Sequence, residues 1–100
     1  RSMYTIKRTE AFNDWLDSLK DRVAMLRLVA RLRKAMIGNL GDVKPLGEGV
    51  FEMREHFGAG WRMYYVRRGE ALIVMLGGGD KSTQSADISK AIRLAAMLED

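Results

Sequence analysis

Six polar side chains in one short stretch could do chemistry together: Glu52, Arg54, His56, Arg62, Tyr64 and Arg68. They stand at even positions of the segment Val50 to Lys81, VFEMREHFGAGWRMYYVRRGEALIVMLGGGDK, in which apolar and polar residues alternate and glycine-bearing turns interrupt twice. An alternation of period two sends successive side chains to opposite faces of a strand. The even positions therefore gather cations, a carboxylate, the single histidine and a phenol on one rigid surface. Arginines and a histidine set opposite one another across strands repel unless something anionic sits among them. Anion binding is the chemistry such a face offers, and His56 is suited to proton transfer near neutral pH. A plainly solvated sheet face is the simpler alternative.

That surface needs a three-stranded antiparallel meander to carry it. The first turn, Gly58-Ala59-Gly60, fits a three-residue hairpin loop with glycine in the left-handed position. This register pairs Phe57 with Trp61, His56 with Arg62, Arg54 with Tyr64, and Glu52 with Val66. The second turn, around Arg68-Gly69-Glu70, fits a two-residue loop in either of two registers. Both set Leu72, Val74 and Leu76 beside Met63 and Tyr65, and leave Ala71, Ile73 and Met75 on the polar side. Phe51, Met53, Phe57, Trp61, Met63, Tyr65, Leu72, Val74 and Leu76 are then the expected core wall.

The flanking chain supplies the layers. Met3 to Arg8 alternates as a short strand; Thr9 and Glu10 offer an N-cap and a first-turn carboxylate for a helix to about Leu19, with Phe12, Trp15, Leu16 and Leu19 as its buried stripe. Asp21 starts a second helix to about Ile37, stopped at Gly38-Asn39-Leu40-Gly41. Its expected apolar face is Val23, Leu26, Val29, Ala30, Met36 and Ile37, widened by Met25, Leu28 and Leu32. Lys20, Arg27, Arg31 and Lys34 form a charged row on the other side, a solvated face or a contact for an acidic partner or RNA phosphate. Asp42 to Gly49, with the lone Pro45, reads as a loop feeding the sheet, from which Lys44 can approach a polyanion. Gly77-Gly78-Gly79-Asp80-Lys81-Ser82 misses phosphate-loop spacing; its glycines let the backbone curl and bring Lys81 beside the polar face. Ser82, Thr83 or Ser85 can cap a last helix to about Leu98, with Ile88, Ala91 or Ile92, Ala95 and Leu98 as its stripe. The expected fold is α+β, ordered β-α-α-β-β-β-α, with an antiparallel sheet, a helical hairpin packed on one face and the other face open.

Composition sets the outer bounds. Residues 3–100 suit one domain with a single core, and Arg1-Ser2 ahead of Met3 reads as a cloning remnant. No apolar run approaches the ~20 residues of a membrane span. The absence of cysteine excludes disulfides and thiolate metal sites and fits a reducing cytoplasm. A net charge of +4 favours polyanionic partners, nucleic acid or an acidic protein.

The segments F-E-M-R, G-x-G-W-R-M-Y-Y and L-G-G-G-D-K-S-T-Q, with the order of elements, resemble the RelE/ParE toxin superfamily. G-D-V-K-P-L-G-E-G-V-F-E-M-R is similar to its phage Gp49-like, HigB-type branch of addiction module killer proteins. The resemblance implies a cytoplasmic toxin neutralised by an antitoxin of helix-turn-helix type, with which it would form a heterotetramer. It implies metal-independent and cofactor-free cutting of mRNA on the ribosome, by attack of the ribose 2′-hydroxyl on the adjacent phosphate. Arg62 matches the arginine of the family's G-Y-R segment and would stabilise the scissile phosphate. Arg54 would bind phosphate, Glu52 would act as general base or hold Arg54, and Lys81 would add positive charge. Lys44, Tyr64 and Arg68 would contact RNA. Many members carry a tyrosine or histidine after the position of Lys81, whereas no aromatic residue follows it here, so Tyr64 or His56 takes that role or the activity is altered. The ParE branch, which poisons DNA gyrase without a nuclease site, and a non-toxic RNA- or protein-binding module are the alternatives.

Overall fold

The computed structural model describes residues 3–98; positions 1 and 2, read above as a cloning remnant, lie outside them. The elements are β1 (Thr5–Arg8), α1 (Glu10–Ser18), α2 (Arg22–Met36), β2 (Val43–Gly47), β3 (Val50–Arg54), β4 (Arg62–Arg68), β5 (Leu72–Gly79), a 3₁₀ turn (Lys81–Thr83) and α3 (Gln84–Met97). Thr9 and Asp21 cap α1 and α2 as their sequence positions imply, accepting from the amides of Phe12 and Ala24. The α+β class holds, with one more strand than expected: the sheet has five, in the order β1-β5-β4-β3-β2. It is mixed, because β1 runs parallel to β5 while the other neighbours are antiparallel.

The extra strand is β2, in the segment read as a loop. Its proline is tolerated because β2 is the sheet's outermost strand, where a missing N–H breaks no inner ladder. Gly47, Glu48 and Gly49 all take positive φ at the turn into β3, a conformation that glycine reaches without strain.

Both meander turns differ from the expected registers. Arg54 faces Arg62, and Glu52 faces Tyr64. The pairing is displaced by two residues because the loop is longer: the Glu55 amide still donates to the Trp61 carbonyl at 2.9 Å, leaving residues 56–60 to make the turn. A shift of two preserves the faces. The second turn is not so forgiving. Arg68 pairs with Leu72, so three residues form the loop, with Gly69 at φ +68°. One residue more than expected inverts β5. Ile73 and Met75 enter the core with Met53, Met63 and Tyr65, while Val74 and Leu76 turn to the opposite face.

Helices cover both faces. Phe12 and Leu16 of α1, and Leu28, Leu32 and Ala35 of α2, pack on the first. Ala91 and Ala95 of α3 pack with Val50, Tyr64, Val66 and Leu76 on the second, so the polar face is not open as expected. The α3 stripe is the anticipated one; that of α2 is rotated. Ala24, Leu28, Arg31, Leu32 and Ala35 are buried, while Val23, Leu26, Met36 and Ile37 are exposed. Arg31, expected in a solvated row, is only 8% exposed.

A bulge between Tyr64 and Tyr65 on the β4–β5 ladder brings Gly78 opposite Met63, directly beneath the Trp15 ring. A β-carbon there would overlap the ring. Gly78→Ala is therefore expected to destabilise the fold by about 1–3 kcal/mol, seen as a lower urea midpoint at unchanged slope.

Candidate anion-binding site

Two rows of side chains cross the α3-covered face. Strand pairing aligns Lys44, Glu52, Tyr64 and Gly77 in the first row, and Arg54, Arg62 and Gly79 in the second. Glycine is needed at Gly79, because the Asp87 carboxylate of α3, which accepts from the Thr83 hydroxyl at 2.6 Å, occupies the space of a β-carbon.

The rows are rich in unmet polarity. Glu52 is fully buried; its Oε2 accepts from Gln84 Nε2 at 2.8 Å, and its Oε1 has no partner. The neighbouring Tyr64 hydroxyl, also fully buried, lies close enough to the Glu52 carboxylate to feel its charge but makes no hydrogen bond of normal geometry. Arg62 is 7% exposed, and its Nη1 donates only to the carbonyls of Glu55 at 3.2 Å and Trp61 at 3.4 Å. Among the described residues no carboxylate forms an ion pair with Arg62, and its Nε is unpartnered, as is that of Arg54. Of five buried side-chain polar atoms without a partner among the described residues, four thus belong to these two rows. Native proteins keep such atoms scarce, so a cluster of them is a place where water or a bound group completes the hydrogen bonding.

Arg54 is held from the side. Its Nη2 donates to Asp42 Oδ1 at 3.1 Å, while Asp42 Oδ2 meets His56 Nε2 at 2.6 Å. The hydrogen bond from His56, then that from Arg54, keeps the Asp42 carboxyl below the usual carboxylate range. The partner of Arg54 is thus Asp42, not Glu52. Lys81 reaches the rim through the 56–60 loop: its amide donates to the Ala59 carbonyl at 3.2 Å, and its side chain lies against Gly60.

The whole end of the sheet is set by Arg31. Its guanidinium donates to the carbonyls of Leu40 at 3.0–3.1 Å, Asp42 at 2.7 Å and Arg54 at 2.8 Å, and forms an ion pair with Glu55. Gly41 lies so close to this guanidinium that a β-carbon would crowd it. One side chain thereby fixes both the backbone that carries Asp42 and the backbone that carries Arg54.

Of the residues singled out from sequence, Glu52, Arg54, Arg62, Tyr64 and Lys44 share the face, and His56 and Lys81 stand at its rim. Arg68 does not join them. It lies six residues along β4 from Arg62, about 20 Å away, where its Nη2 donates to the Ala95 carbonyl near the end of α3 at 3.2 Å. Tyr64 presents no ring to solvent on which a base could stack. Read from sequence, Asp42 and Gln84 have no part in the site and Arg31 stands in the solvated row of the second helix, whereas all three hold it. Pairing β2 with β3 would have set Asp42 beside Arg54, but Pro45 hid the strand.

Burial first, then the Glu52 carboxylate, pushes the Tyr64 phenol above its ordinary value, and burial also raises that of Tyr65. Tyr64 can therefore donate a proton or a hydrogen bond at neutral pH but is no base. In the unfolded chain these phenols ionise at about pH 10, while the folded protein keeps them neutral. Their contribution to stability is complete below that pH and fades as the pH rises through the folded values. Tyr64→Phe should accordingly lose less stability than the wild type between roughly pH 9 and 11 in urea melts.

The chain as a whole is similar to known proteins. A family model described as phage-derived protein Gp49-like matches residues 14–98. An uncharacterised protein of Haemophilus influenzae is 42% identical over 93 residues, covering 93% of this chain and 94% of the relative. In structure the chain is similar to a double arginine-to-alanine mutant of the Escherichia coli toxin RelE in the free state, with a TM-score of 0.72 at 16% identity over 96% of this chain and 99% of that one. It is also similar to a chain of the Mycobacterium tuberculosis RelBE2 toxin–antitoxin complex, with a TM-score of 0.55 at 22% identity over 81% and 94% of the two chains. These two likenesses establish the RelE fold.

Proposed function

This chain belongs to the phage-derived Gp49-like family, and with its RelE-like fold as the second premise we propose that it is the toxin of a toxin–antitoxin pair, an endoribonuclease that cuts mRNA on the ribosome. The observation that carries this reading is Arg62: a buried guanidinium with no carboxylate partner among the described residues, set directly opposite a second arginine. Burying a charge without a counter-ion is costly, and like charges across a strand pair add to the cost. A phosphate between Arg54 and Arg62 removes both penalties.

That placement supports the following reaction. The ribose 2′-hydroxyl attacks the adjacent phosphorus, and its proton passes to the free Oε1 of Glu52 once α3 yields access. Charge developing on the non-bridging oxygens falls to Arg62 and Arg54, with Lys81 at the rim. The P–O5′ bond breaks and the leaving oxygen takes a proton from His56, whose imidazole Asp42 orients, or from Tyr64. The products are a 2′,3′-cyclic phosphate and a 5′-hydroxyl, and the chain's own residues supply each proton and charge in these steps.

The structural neighbour solved with its antitoxin supports a proteinaceous partner for this chain. We assign that partner to the helix-turn-helix class, in a cytoplasmic heterotetramer. The test is brief expression of the wild-type chain, with primer extension on cellular mRNA and an SOS reporter read in parallel. In-frame cuts that appear within minutes support cleavage. Growth arrest with intact mRNA and an SOS response would instead identify a gyrase poison, and unimpaired growth without antitoxin would identify a non-toxic binding module.

A further inference from the structure

Helix α2 is lopsided in charge: its 15 residues include five basic side chains and no carboxylate. Arg31 is committed to the sheet, while Arg22, Arg27, Arg33 and Lys34 are exposed. None of these four makes an ion pair with another described residue, and Arg27 lies over the Phe57 ring at 3.9 Å.

The rotation of the buried stripe leaves a second apolar face. At the helical period, Val23, Leu26, Ala30 and Ile37 fall within about 60° of arc on the side opposite the core. Val23 is 66%, Leu26 61% and Ile37 54% exposed. Arg22 and Arg33 border this stripe on one side, Arg27 and Lys34 on the other. Ala30, exposed between Leu26 and Ile37, is the small residue of the stripe, against which a larger side chain of a partner can pack.

We propose that this face of α2 docks an amphipathic helix of a partner protein whose own apolar stripe is bordered by aspartate or glutamate. Charge complementarity selects that occupant. A second copy of the chain would bring two cationic borders together. Nucleic acid could use the cations, but its sugar-phosphate backbone leaves the three aliphatic side chains without apolar contact. A bilayer surface favours aromatic anchors, and α2 carries none. The stripe faces away from the sheet surface that carries Arg54 and Arg62, so a partner docked here does not touch the rows of the anion site. The proposal therefore stands independently of the cleavage chemistry.

The probe is a synthetic fluorescent helix with a leucine stripe bordered by glutamates, titrated with the intact chain and compared with the same peptide bordered by lysines. Only the acidic peptide is expected to bind, more weakly as salt rises. Leu26→Asp should weaken binding at least about tenfold, as should Arg33→Glu combined with Lys34→Glu. Melts by circular dichroism verify folding, and the charge-reversed double variant serves if Leu26→Asp fails to fold. Equal binding of both peptides, or affinity indifferent to these substitutions, would overturn the assignment. So would self-association in sedimentation, or capture of an RNA oligomer or of phosphatidylserine vesicles, abolished by Leu26→Asp while the acidic peptide goes unbound.

Discussion

Replacing Arg62 with alanine is expected to lower mRNA cleavage by about 10²–10³-fold while leaving the melting temperature unchanged or higher. The two halves of this result have separate causes. The guanidinium faces Arg54; in the proposed reaction phosphorane charge develops between the two, and a preorganised cation there acts on the transition state more strongly than water can. In the free protein it is a buried cation with no counter-ion among the described residues, held only by two carbonyls. Its removal relieves repulsion with Arg54 and breaks no ion pair, so stability has little to lose. The check is primer extension beside a thermal melt of the same variant. A sharp fall in melting temperature would make Arg62 a structural residue; full cleavage activity would remove it from the site.

Arg31→Ala should do the reverse. This arginine answers three backbone carbonyls and the Glu55 carboxylate from a nearly buried position. Deleting it strands a carboxylate and leaves the acceptors unpaired, for which about 3–5 kcal/mol is typical. In a domain of this size that corresponds to a fall of at least about 12 °C in melting temperature. Arg31→Lys is expected to recover little, since one ammonium cannot replace a planar fork reaching four acceptors. Thermal melts of both variants decide the point: a drop of only a few degrees would show the clamp to be dispensable. Cleavage by Arg31→Ala at low temperature should also fall, because Asp42 and Arg54 lose their common anchor.

These two arginines show how far the sequence could be read. Arg62 was legible because the alternation around it has period two, and a register error of two residues leaves the faces unchanged. Arg31 was not. It sits in a helix rich in both cations and aliphatic residues, where several stripes fit the helical period equally well. Local pattern cannot choose among them; the side facing the sheet is chosen by what the sheet presents. Similarly, the loop at Gly69 differs by one residue from the expected hairpin, and that single residue exchanged the roles of Ile73 and Met75 with those of Val74 and Leu76.

Taken alone, the sequence determined the α+β class, the caps at Thr9 and Asp21, the apolar stripe of α3, and the grouping of Glu52, Arg54 and Arg62 on one face. Each of these rests on short-range periodicity or on a hydrogen bond made within a few residues. The tertiary structure alone decided that α3 closes over that face, that Gln84 holds Glu52, that Asp42 holds Arg54, and that Arg31 locks the end of the sheet. The side-chain hydrogen bonds among them join residues 9 to 32 positions apart in the chain. Such pairs leave no periodic trace, because what brings them together is the packing of whole layers.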